Sequence, residues 1–343
     1  MRIAIDGREL QGQPTGVGRF LSGVITAWDT LPDARRHEVI VLTPASARGS
    51  TAWEQLTLPR LVREARADVL FAPAYSGPLR CPVPMVVAVY DVSFAAHPEW
   101  FGWREGARRR LLTRLAARRA ARILTTSEFS RVEIVQRLGV PAGRIDVVYP
   151  GVEALGALRR DAPDDALVLY VGSLFTRRHI PALVDGFARL ARHRLDVRLD
   201  IVGDNRTTPF VDIDAVVRAS GAADRIAVRS YLPDEALAAL YRRARAFVFL
   251  SEYEGFGLTP LEALAAGVPI VVLDTPVARE VYGDAALYVP HPEPALVASA
   301  IDRVLGDDIE RMRILAAAER LLPRYSWREC GAKVLQALTA AAA

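Results

Sequence analysis

Two segments of the chain contain residue types that could bind or activate a substrate. The more specific one runs from Glu254 to Glu262 and reads Glu-Gly-Phe-Gly-Leu-Thr-Pro-Leu-Glu after an apolar run. Its glycines permit a tight loop, its proline suits the first turn of a helix, and carboxylates accept hydrogen bonds from vicinal hydroxyl groups. In the alternative interpretation, Glu262 is only a favourable first-turn charge and Glu254 is a surface residue.

The second segment contains the adjacent pair Arg177 and Arg178, between an apolar strand pattern and a helix expected to begin at Ile180. Two guanidinium groups at the mouth of a strand could clamp a diphosphate through charge-assisted hydrogen bonds. A solvated charged turn would need no function, so the pair by itself leaves both interpretations open.

Two loops in the first half of the chain also follow predicted strands. One contains Gly16 and Gly18 ahead of a helix expected to begin near Arg19, and glycine lets backbone amides approach an anion closely. No third glycine completes a dinucleotide-binding fingerprint, which disfavours an oxidoreductase and leaves a merely flexible loop as the alternative. The other loop contains Tyr90 and Asp91, and Asp91 could bind a sugar hydroxyl, polarise an acceptor, or cap the next turn.

The elements that must position these residues alternate between short β-branched runs and longer helical patterns, which is typical of βαβ units. Ligands gather at the carboxyl ends of strands in such sheets, where all four loops fall. We expect two Rossmann-like α/β domains over 1–155 and 156–325, a linker near 150–165, and a final helix over 326–343, capped by Ser326, that packs back on the first domain. The predicted strands are Ile3 to Asp6, Glu38 to Leu42, Val69 to Ala72, Val86 to Tyr90, Ile123 to Thr126, Asp146 to Tyr149, Leu167 to Val171, Leu199 to Val202, Ala227 to Tyr231, Phe247 to Leu250, Ile270 to Leu273 and Leu287 to Val289.

The composition excludes several classes of protein. The chain has 343 residues, of which 51% are apolar and 24% charged, so it is not disordered. Its longest apolar stretches fall short of the roughly 18 residues that a spanning helix needs. A net charge of +4, nearly all of it from arginine, gives no reason to expect nucleic-acid binding. Two distant cysteines, Cys81 and Cys330, match no disulfide framework, which favours a cytoplasmic protein.

The segment from Glu254 to Pro269 closely resembles the paired-glutamate motif of the retaining glycosyltransferases of family 4, which have the GT-B fold. The resemblance covers nearly the whole chain, and it implies two parallel-sheet domains that face each other across a cleft. It also implies a nucleoside-diphosphate sugar, such as a GDP- or UDP-hexose, as co-substrate, with no further cofactor and no metal. The supporting blocks are Thr126 to Arg131, Asp146 to Val152, Val171 to His179, Tyr231 to Asp234 and Ala278 to Glu280.

The resemblance assigns a role to each matching position. Arg177 and Arg178 would neutralise the donor diphosphate, Glu262 would hold the ribose hydroxyls, and Glu254 would face the transferred sugar. The other donor-binding positions would be Gly16 and Gly18 over the diphosphate, Gly255, Phe256, Gly257 and Leu258 at the sugar or its phosphate, and Tyr231 and Leu232 beside the nucleobase.

Three positions depart from the family pattern. Arg178 stands where lysine is common, and His179 stands where asparagine or glycine is common, so His179 is given no catalytic role. Tyr90 replaces a histidine that often precedes the residue at Asp91. Tyr90 or Asp91 must therefore replace the imidazole contact with the transferred sugar, or that contact is absent.

Two further features could have a role outside the donor site. Residues 101–122 form an arginine-rich pattern, with Trp103 and Leu111 interleaved, that could lie on anionic lipid as a peripheral contact at the inner face of the cell membrane. A solvent-exposed charged face is the alternative. Asp212 and Asp214 resemble a metal-binding acidic pair, but they fall at the start of a predicted helix instead of after a strand, which argues against a metal.

The expected function is a retaining, metal-independent glycosyltransferase that moves a hexose, such as mannose, to a hydroxyl of a glycan, a lipid-linked acceptor or a small molecule. Glu254, Arg177, Arg178 and Asp91 are the expected catalytic residues, with the arginines stabilising the leaving diphosphate. A covalent mechanism with Glu254 as the nucleophile stays open, because sequence does not give carboxylate separations. The alternatives are a GT-B-type phosphorylase, a sugar-nucleotide epimerase, or a non-catalytic protein that binds nucleotide sugars.

Overall fold

The computed structural model describes residues 1–12, 16–45, 50–152 and 166–343. They divide into two compact units, the first formed by Met1–Gly151 with Tyr325–Ala343 and the second by Val152–Arg324. The linker expected near 150–165 is described only as far as Val152; the rest of it, with the boundary expected at 155, lies outside the described residues.

The first unit contains a six-stranded parallel sheet in the order β2-β1-β3-β4-β5-β6. Its order reverses between β1 and β3, which is the point where ligands bind in open α/β sheets. Buried strands such as β3 and β4 are apolar on both faces because helices cover both sides of a parallel sheet. The strands are β1 (Arg2–Asp6), β2 (Glu38–Leu42), β3 (Val69–Ala72), β4 (Met85–Ala88), β5 (Arg122–Thr125) and β6 (Ile145–Val147).

The second unit contains another six-stranded parallel sheet, in the order β12-β11-β10-β7-β8-β9. This order is that of the dinucleotide-binding Rossmann folds, and it reverses between β7 and β10. The strands are β7 (Ala166–Val171), β8 (Val197–Val202), β9 (Ile226–Arg229), β10 (Ala244–Phe249), β11 (Ile270–Leu273) and β12 (Leu287–Val289). All twelve predicted strands are therefore present; four have the predicted ends, and the ends of the others differ by at most three residues.

The helices lie between the strands, and three of the predicted helix features need correction. Helix α1 begins at Gly16 instead of near Arg19, the helix expected over 101–122 ends at Arg119, and Ser326 makes no side-chain capping hydrogen bond. The described α-helices are α1 (Gly16–Thr30), α2 (Leu58–Glu64), α3 (Ser93–Ala96), α4 (Trp103–Arg119), α5 (Glu128–Leu138), α6 (Ile180–Ala191), α7 (Ile213–Ala219), α8 (Asp234–Arg243), α9 (Leu258–Ala265), α10 (Pro276–Tyr282), α11 (Pro294–Gly306), α12 (Asp308–Leu321) and α13 (Trp327–Ala342).

The C-terminal helix α13 completes the core of the first unit. Its buried residues Cys330, Val334 and Leu338 join the apolar cluster beneath the sheet. The indole Nε1 of Trp28 on α1 donates to the carbonyl of Gly331 at 2.8 Å. Burial raises the pKa of the Cys330 thiol to about 12, and both cysteines are free. Cys330 is therefore a packing residue.

Among the described residues, the longest helices are too polar or too short to cross a lipid bilayer.

Candidate nucleotide-sugar site

The arginine pair lies directly after β7, at the point where the strand order of the second sheet reverses. A short 3-10 turn over Thr176–Arg178 carries both side chains, and His179 ends it in the left-handed region at φ 48° before α6. Arg177 is only 8% exposed. A guanidinium group buried to this degree is costly unless it is paired or hydrogen-bonded, so a plain solvated turn does not describe the pair.

The loop after β10 is joined to this turn by main-chain and side-chain hydrogen bonds. The amide of Glu252 donates to the carbonyl of Arg177 at 3.0 Å, and Arg177 Nε donates to the carbonyl of Tyr253 at 3.0 Å. Strands β7 and β10 are neighbours, so their carboxyl ends bring the arginine turn and the first glutamate of the motif together. The topology of the sheet therefore brings the two segments into contact although they are 76 residues apart in sequence.

Glu254 is the centre of this contact. Its Oε1 accepts from Arg178 Nε at 2.8 Å and from Ser251 Oγ at 2.8 Å, and it lies 3.9 Å from Arg177 Nε. Burial disfavours the charged carboxylate, but the charges of Arg178 and Arg177 outweigh this effect and hold the pKa of Glu254 below its usual value. Glu254 is thus an ionised carboxylate that is only 14% exposed, and not the surface residue of the alternative interpretation.

Arg178 is held on several sides. Its Nη1 donates to the carbonyl of Ser173 at 2.9 Å, and its guanidinium carbon lies 4.9 Å from the ring centre of Phe249. Burial opposes its charge, but Glu254 more than compensates and raises its pKa. Gly172 adopts φ 143°, a conformation that favours glycine, and a Cβ there would also lie 2.6 Å from Arg178 Nη1. Arg178 therefore fixes the orientation of Glu254.

Glu262 lies on α9, eight positions after Glu254, and is 8% exposed. Its Oε2 is 3.4 Å from the hydroxyl of Tyr241 on α8. Gly257 precedes the helix with φ 89°, a left-handed conformation that favours glycine, so the chain turns sharply from the loop into the helix. The N-terminus of α9 lies at the same strand end as Glu254, and the first amides of a helix, which have no partner within it, can donate to an anion.

Two further positions of the second unit that are expected to bind the donor, Tyr231 and Leu232, lie apart from this group. Tyr231 and Leu232 follow β9, and β8 separates that strand from β7. Tyr231 is 50% exposed. The structure thus puts these two residues at the far end of the same sheet edge, and their role beside a nucleobase stays a prediction.

The glycines of the first unit lie in the first turn of α1 and not in a loop. Gly16 is the first residue of the helix, and a Cβ there would meet no atom of the described residues within 4 Å. Gly18 is buried. The helix starts early because Phe20, Leu21 and Val24 bury one face of it, which outweighs the poor helix propensity of two glycines. The part of the loop at 13–15 lies outside the described residues.

Tyr90 and Asp91 follow β4 in the first unit. The Asp91 carboxylate accepts from the hydroxyl of Tyr75 at 2.9 Å and from the amide of Ser93 at 2.8 Å, so it does cap the next turn. The Tyr90 ring packs edge-on against Phe20 and Tyr75, and its buried hydroxyl has no hydrogen-bond partner among the described residues. Burial raises the pKa of Tyr90. Asp91 remains the more accessible candidate for an acceptor contact.

The block from Thr126 to Arg131 supports this pair. Ser127 caps α5 by accepting from the amide of Ser130, and the Ser130 hydroxyl donates to the carbonyl of Tyr90 at 2.8 Å. The block therefore fixes the backbone where β4 ends.

The first unit also contains a charged network that was not predicted from the sequence. Arg8 contacts Asp6 at 2.6 Å and Glu54 at 2.7 Å, and Glu54 also accepts from Ser76 Oγ at 2.9 Å. Asp6 ends β1 and Ser76 follows β3, so the network spans the reversal point of the first sheet. Only the position of Asp6 at a strand end could have indicated it, because Glu54 comes from a helical turn that no strand pattern marks.

The acidic pair Asp212 and Asp214 and the arginine-rich helix α4 are the two features for which the sequence left a second role open. Asp212 caps α7 by accepting from the amide of Ala215 at 2.9 Å, and within the described residues no three His, Cys, Asp or Glu side chains form a metal-binding group. In α4, Trp103 is 79% exposed and Leu111 is 58% exposed. Arg122 belongs to β5, not to this helix, and is paired with Asp146.

Comparison with known proteins agrees with this architecture. A family model described as Glycosyltransferase Family 4 matches residues 21–154, and one described as Glycosyl transferases group 1 matches residues 159–321. The chain belongs to the family-4 glycosyltransferases. The expected GT-B fold is also confirmed, with a solved sucrose-phosphate synthase from Thermosynechococcus elongatus superposing at a TM-score of 0.79 over 98% of each chain with 17% identity.

Two further matches are informative. The O-antigen chain mannosyltransferase B of Escherichia coli is 31% identical over 63% of this chain and 59% of its own length. The Anabaena protein HepE, solved in complex with UDP-glucose, superposes at a TM-score of 0.76 over 98% of this chain and 99% of that one, with 18% identity. This glycosyltransferase chain spans between 25% and 64% of the lengths of three curated relatives that it matches.

Proposed function

We propose that this glycosyltransferase moves a hexose from a nucleoside-diphosphate sugar to an acceptor hydroxyl, with retention of configuration and without a metal. The observation that carries the proposal is the largely buried group of Arg177, Arg178 and Glu254, which precedes the N-terminus of α9 at the reversal point of the second sheet. Mannose is the favoured sugar, since a mannosyltransferase is among the relatives.

The proposed chemistry is mainly electrostatic. Breaking the sugar–phosphate bond leaves positive charge on the sugar and negative charge on the diphosphate. Arg177 and the amides at the start of α9 are fixed before the reaction, so they stabilise the leaving group without reorganisation. Arg178 adds its positive charge, and its hydrogen bond to Glu254 orients the carboxylate that faces the sugar. The acceptor hydroxyl then attacks from the face that the nucleotide leaves, and a diphosphate oxygen takes its proton.

A direct test follows the nucleotide product. The protein is incubated with UDP- and GDP-hexoses, with and without a panel of hydroxyl acceptors and with and without inorganic phosphate, and nucleoside diphosphate is quantified. A transferase releases it in an acceptor-dependent way. A phosphorylase would need phosphate, an epimerase would change the sugar without releasing nucleotide, and a binding protein would do neither.

We also propose that α4 contacts an anionic membrane surface at the cytoplasmic face, which would bring a lipid-linked acceptor within reach. The solvent face of α4 carries arginines together with the exposed side chains of Trp103 and Leu111, the combination that an in-plane helix uses. Co-sedimentation with vesicles tests this. Binding to vesicles containing anionic lipid should fall with salt and with Trp103→Ala and Leu111→Ala, while neutral vesicles should not bind. Equal binding to both vesicle types would contradict the proposal.

A further inference from the structure

We infer that Tyr282, a residue outside the paired-glutamate motif, is a positioning residue for the donor site. The Tyr282 hydroxyl donates to the main-chain carbonyl of Gly257 at 2.9 Å. Tyr282 is the last residue of α10 and is 3% exposed. The inference rests on the proposed function, because its consequence is the orientation of a donor-binding amide.

The hydrogen bond fixes the direction of one peptide group. The carbonyl of Gly257 and the amide of Leu258 belong to the same planar trans peptide, in which the two groups point in opposite directions. Holding the carbonyl on Tyr282 therefore turns the Leu258 amide away from α10. Leu258 is the first residue of α9, so its amide is one of those that have no partner within the helix. Tyr282 thereby presents this amide to the ligand edge of the sheet.

The glycine and the tyrosine are also coupled sterically. Gly257 adopts φ 89°, and a Cβ built there would lie 2.1 Å from the Tyr282 hydroxyl oxygen but 3.4 Å from the next ring atom. The distance to the hydroxyl oxygen is far shorter than van der Waals contact allows, whereas the distance to the ring carbon is close to an ordinary contact. The side chain of Tyr282 therefore occupies the space that any larger residue at 257 would need.

Helix α10 is itself held firmly, so Tyr282 is a fixed anchor. Thr275 caps the helix, accepting from the amide of Ala278 at 3.2 Å. The Tyr288 hydroxyl donates to the carbonyl of Gly283 at 2.7 Å and also lies 3.2 Å from the carbonyl of Ala278. Within the described residues these hydrogen bonds of Tyr288 go to α10 and its C-terminal cap and not to the motif loop, which makes Tyr288 a matched control.

The first experiment compares Tyr282→Phe with Tyr288→Phe by steady-state kinetics and by binding of UDP or GDP. Tyr282→Phe should lower kcat/KM for the donor by up to about tenfold, as expected for the loss of one buried hydrogen bond. Tyr288→Phe should change kcat/KM for the donor by no more than about twofold, at a thermal stability similar to that of Tyr282→Phe. Equal loss in both variants would overturn the inference, since the effect would then come from α10 as a whole.

The second experiment is a double-mutant cycle between Tyr282→Phe and Gly257→Ala, read by melting temperature and by donor kinetics. In the Tyr282→Phe background the hydroxyl clash is gone, so Gly257→Ala should cost less stability there than in the natural chain. Additive effects on melting temperature would overturn the inference even if every variant is inactive. If the natural chain bound no nucleoside diphosphate, the proposed function would fail instead, while the stability cycle would still report the contact.

Discussion

Glu254 combines burial with charge, and the balance between them decides what it can do. Burial works against ionisation, but Arg178 and Arg177 shift the pKa of the carboxyl below the ordinary value of 4.5. A carboxylate with a lowered pKa is a poor general acid at neutral pH, because it is almost never protonated. We therefore propose that Glu254 binds and orients the sugar, with its negative charge facing the positive charge that develops there.

This assignment has a pH consequence. Because the folded-state pKa is lowered, the ionised Glu254 contributes stability at pH values above 4.5, and that contribution is lost as the pH falls through the folded value. Between about pH 5 and pH 8, neither kcat nor donor binding should show a titration that belongs to Glu254. The check is to compare pH profiles of the natural chain and Glu254→Gln. An inflection in that range that disappears in the variant would show that Glu254 exchanges a proton during turnover.

Removing the charge of Glu254 should also weaken the protein. Glu254→Gln leaves Arg178 buried with only a neutral acceptor, so we expect a loss of about 1–3 kcal/mol in the free energy of unfolding, together with a loss of activity. Glu252→Gln is the matched control, since that side chain lies two residues away, is 39% exposed and pairs with His179 at 3.2 Å instead of with the two arginines. Denaturant unfolding measures both, and equal stability losses in the two variants would show that the buried pair has no special weight.

Much of this site could be predicted at the level of single residues. The motif from Glu254 to Glu262 contains its own loop and helix signals, so its glutamates could be recognised without coordinates. The contact of Arg178 with Glu254 could not, since pairing depends on which strands are neighbours. Tyr282 and the Arg8 network were missed for the same reason, because each acts across elements that are distant in sequence.

At the scale of elements, the packing of α13 on α1 depends on a glycine. A Cβ at Gly23 in the middle of α1 would lie 2.5 Å from the ring of Trp327, the first residue of α13. The glycine thus weakens the helix locally but lets two helices approach closely. Tertiary packing outweighs propensity here, as it does at the start of α1.

A pair of glycine substitutions in α1 separates propensity from packing. Replacing a helical glycine by alanine ordinarily stabilises a helix by up to about 1 kcal/mol. Gly23→Ala should instead destabilise the protein by about 1–3 kcal/mol, because the methyl group overlaps the Trp327 ring. Gly16→Ala, where a Cβ would meet no described atom within 4 Å, should be neutral or stabilising. Thermal unfolding decides, and a stabilised Gly23→Ala protein would contradict the described packing.

The strands were easier to predict than the helix ends. A buried parallel strand such as β7 is a short apolar run bounded by glycine and charge, and both limits can be seen in the sequence. The ends of α1 and α4 are set by side chains that pack from other segments. Arg122 belongs to a strand because β5 pairs with β4 on one side and β6 on the other. The arginine-rich sequence before it gives no sign of this pairing.

At the scale of the whole molecule, two parallel sheets each place a polar cluster at the point where the strand order reverses. In the first unit that cluster is Asp6, Arg8 and Glu54; in the second it is Arg177, Arg178 and Glu254. The repeated architecture follows from the alternation of strand and helix patterns, so the fold class could be predicted from the sequence. The sugar and the acceptor could not, because they depend on side chains from several loops at once.

The central claim is that Arg177 and its neighbours bind the diphosphate of an activated sugar. The most direct measurement is the melting temperature of the natural chain, Arg177→Ala and Arg218→Ala with UDP, GDP and their hexose conjugates, since a ligand that binds only the folded state raises it. Arg218 is a fair control because its side chain is 67% exposed. The natural chain and Arg218→Ala should be stabilised by at least one nucleoside diphosphate, and Arg177→Ala should not. A full stabilisation of Arg177→Ala would contradict the claim.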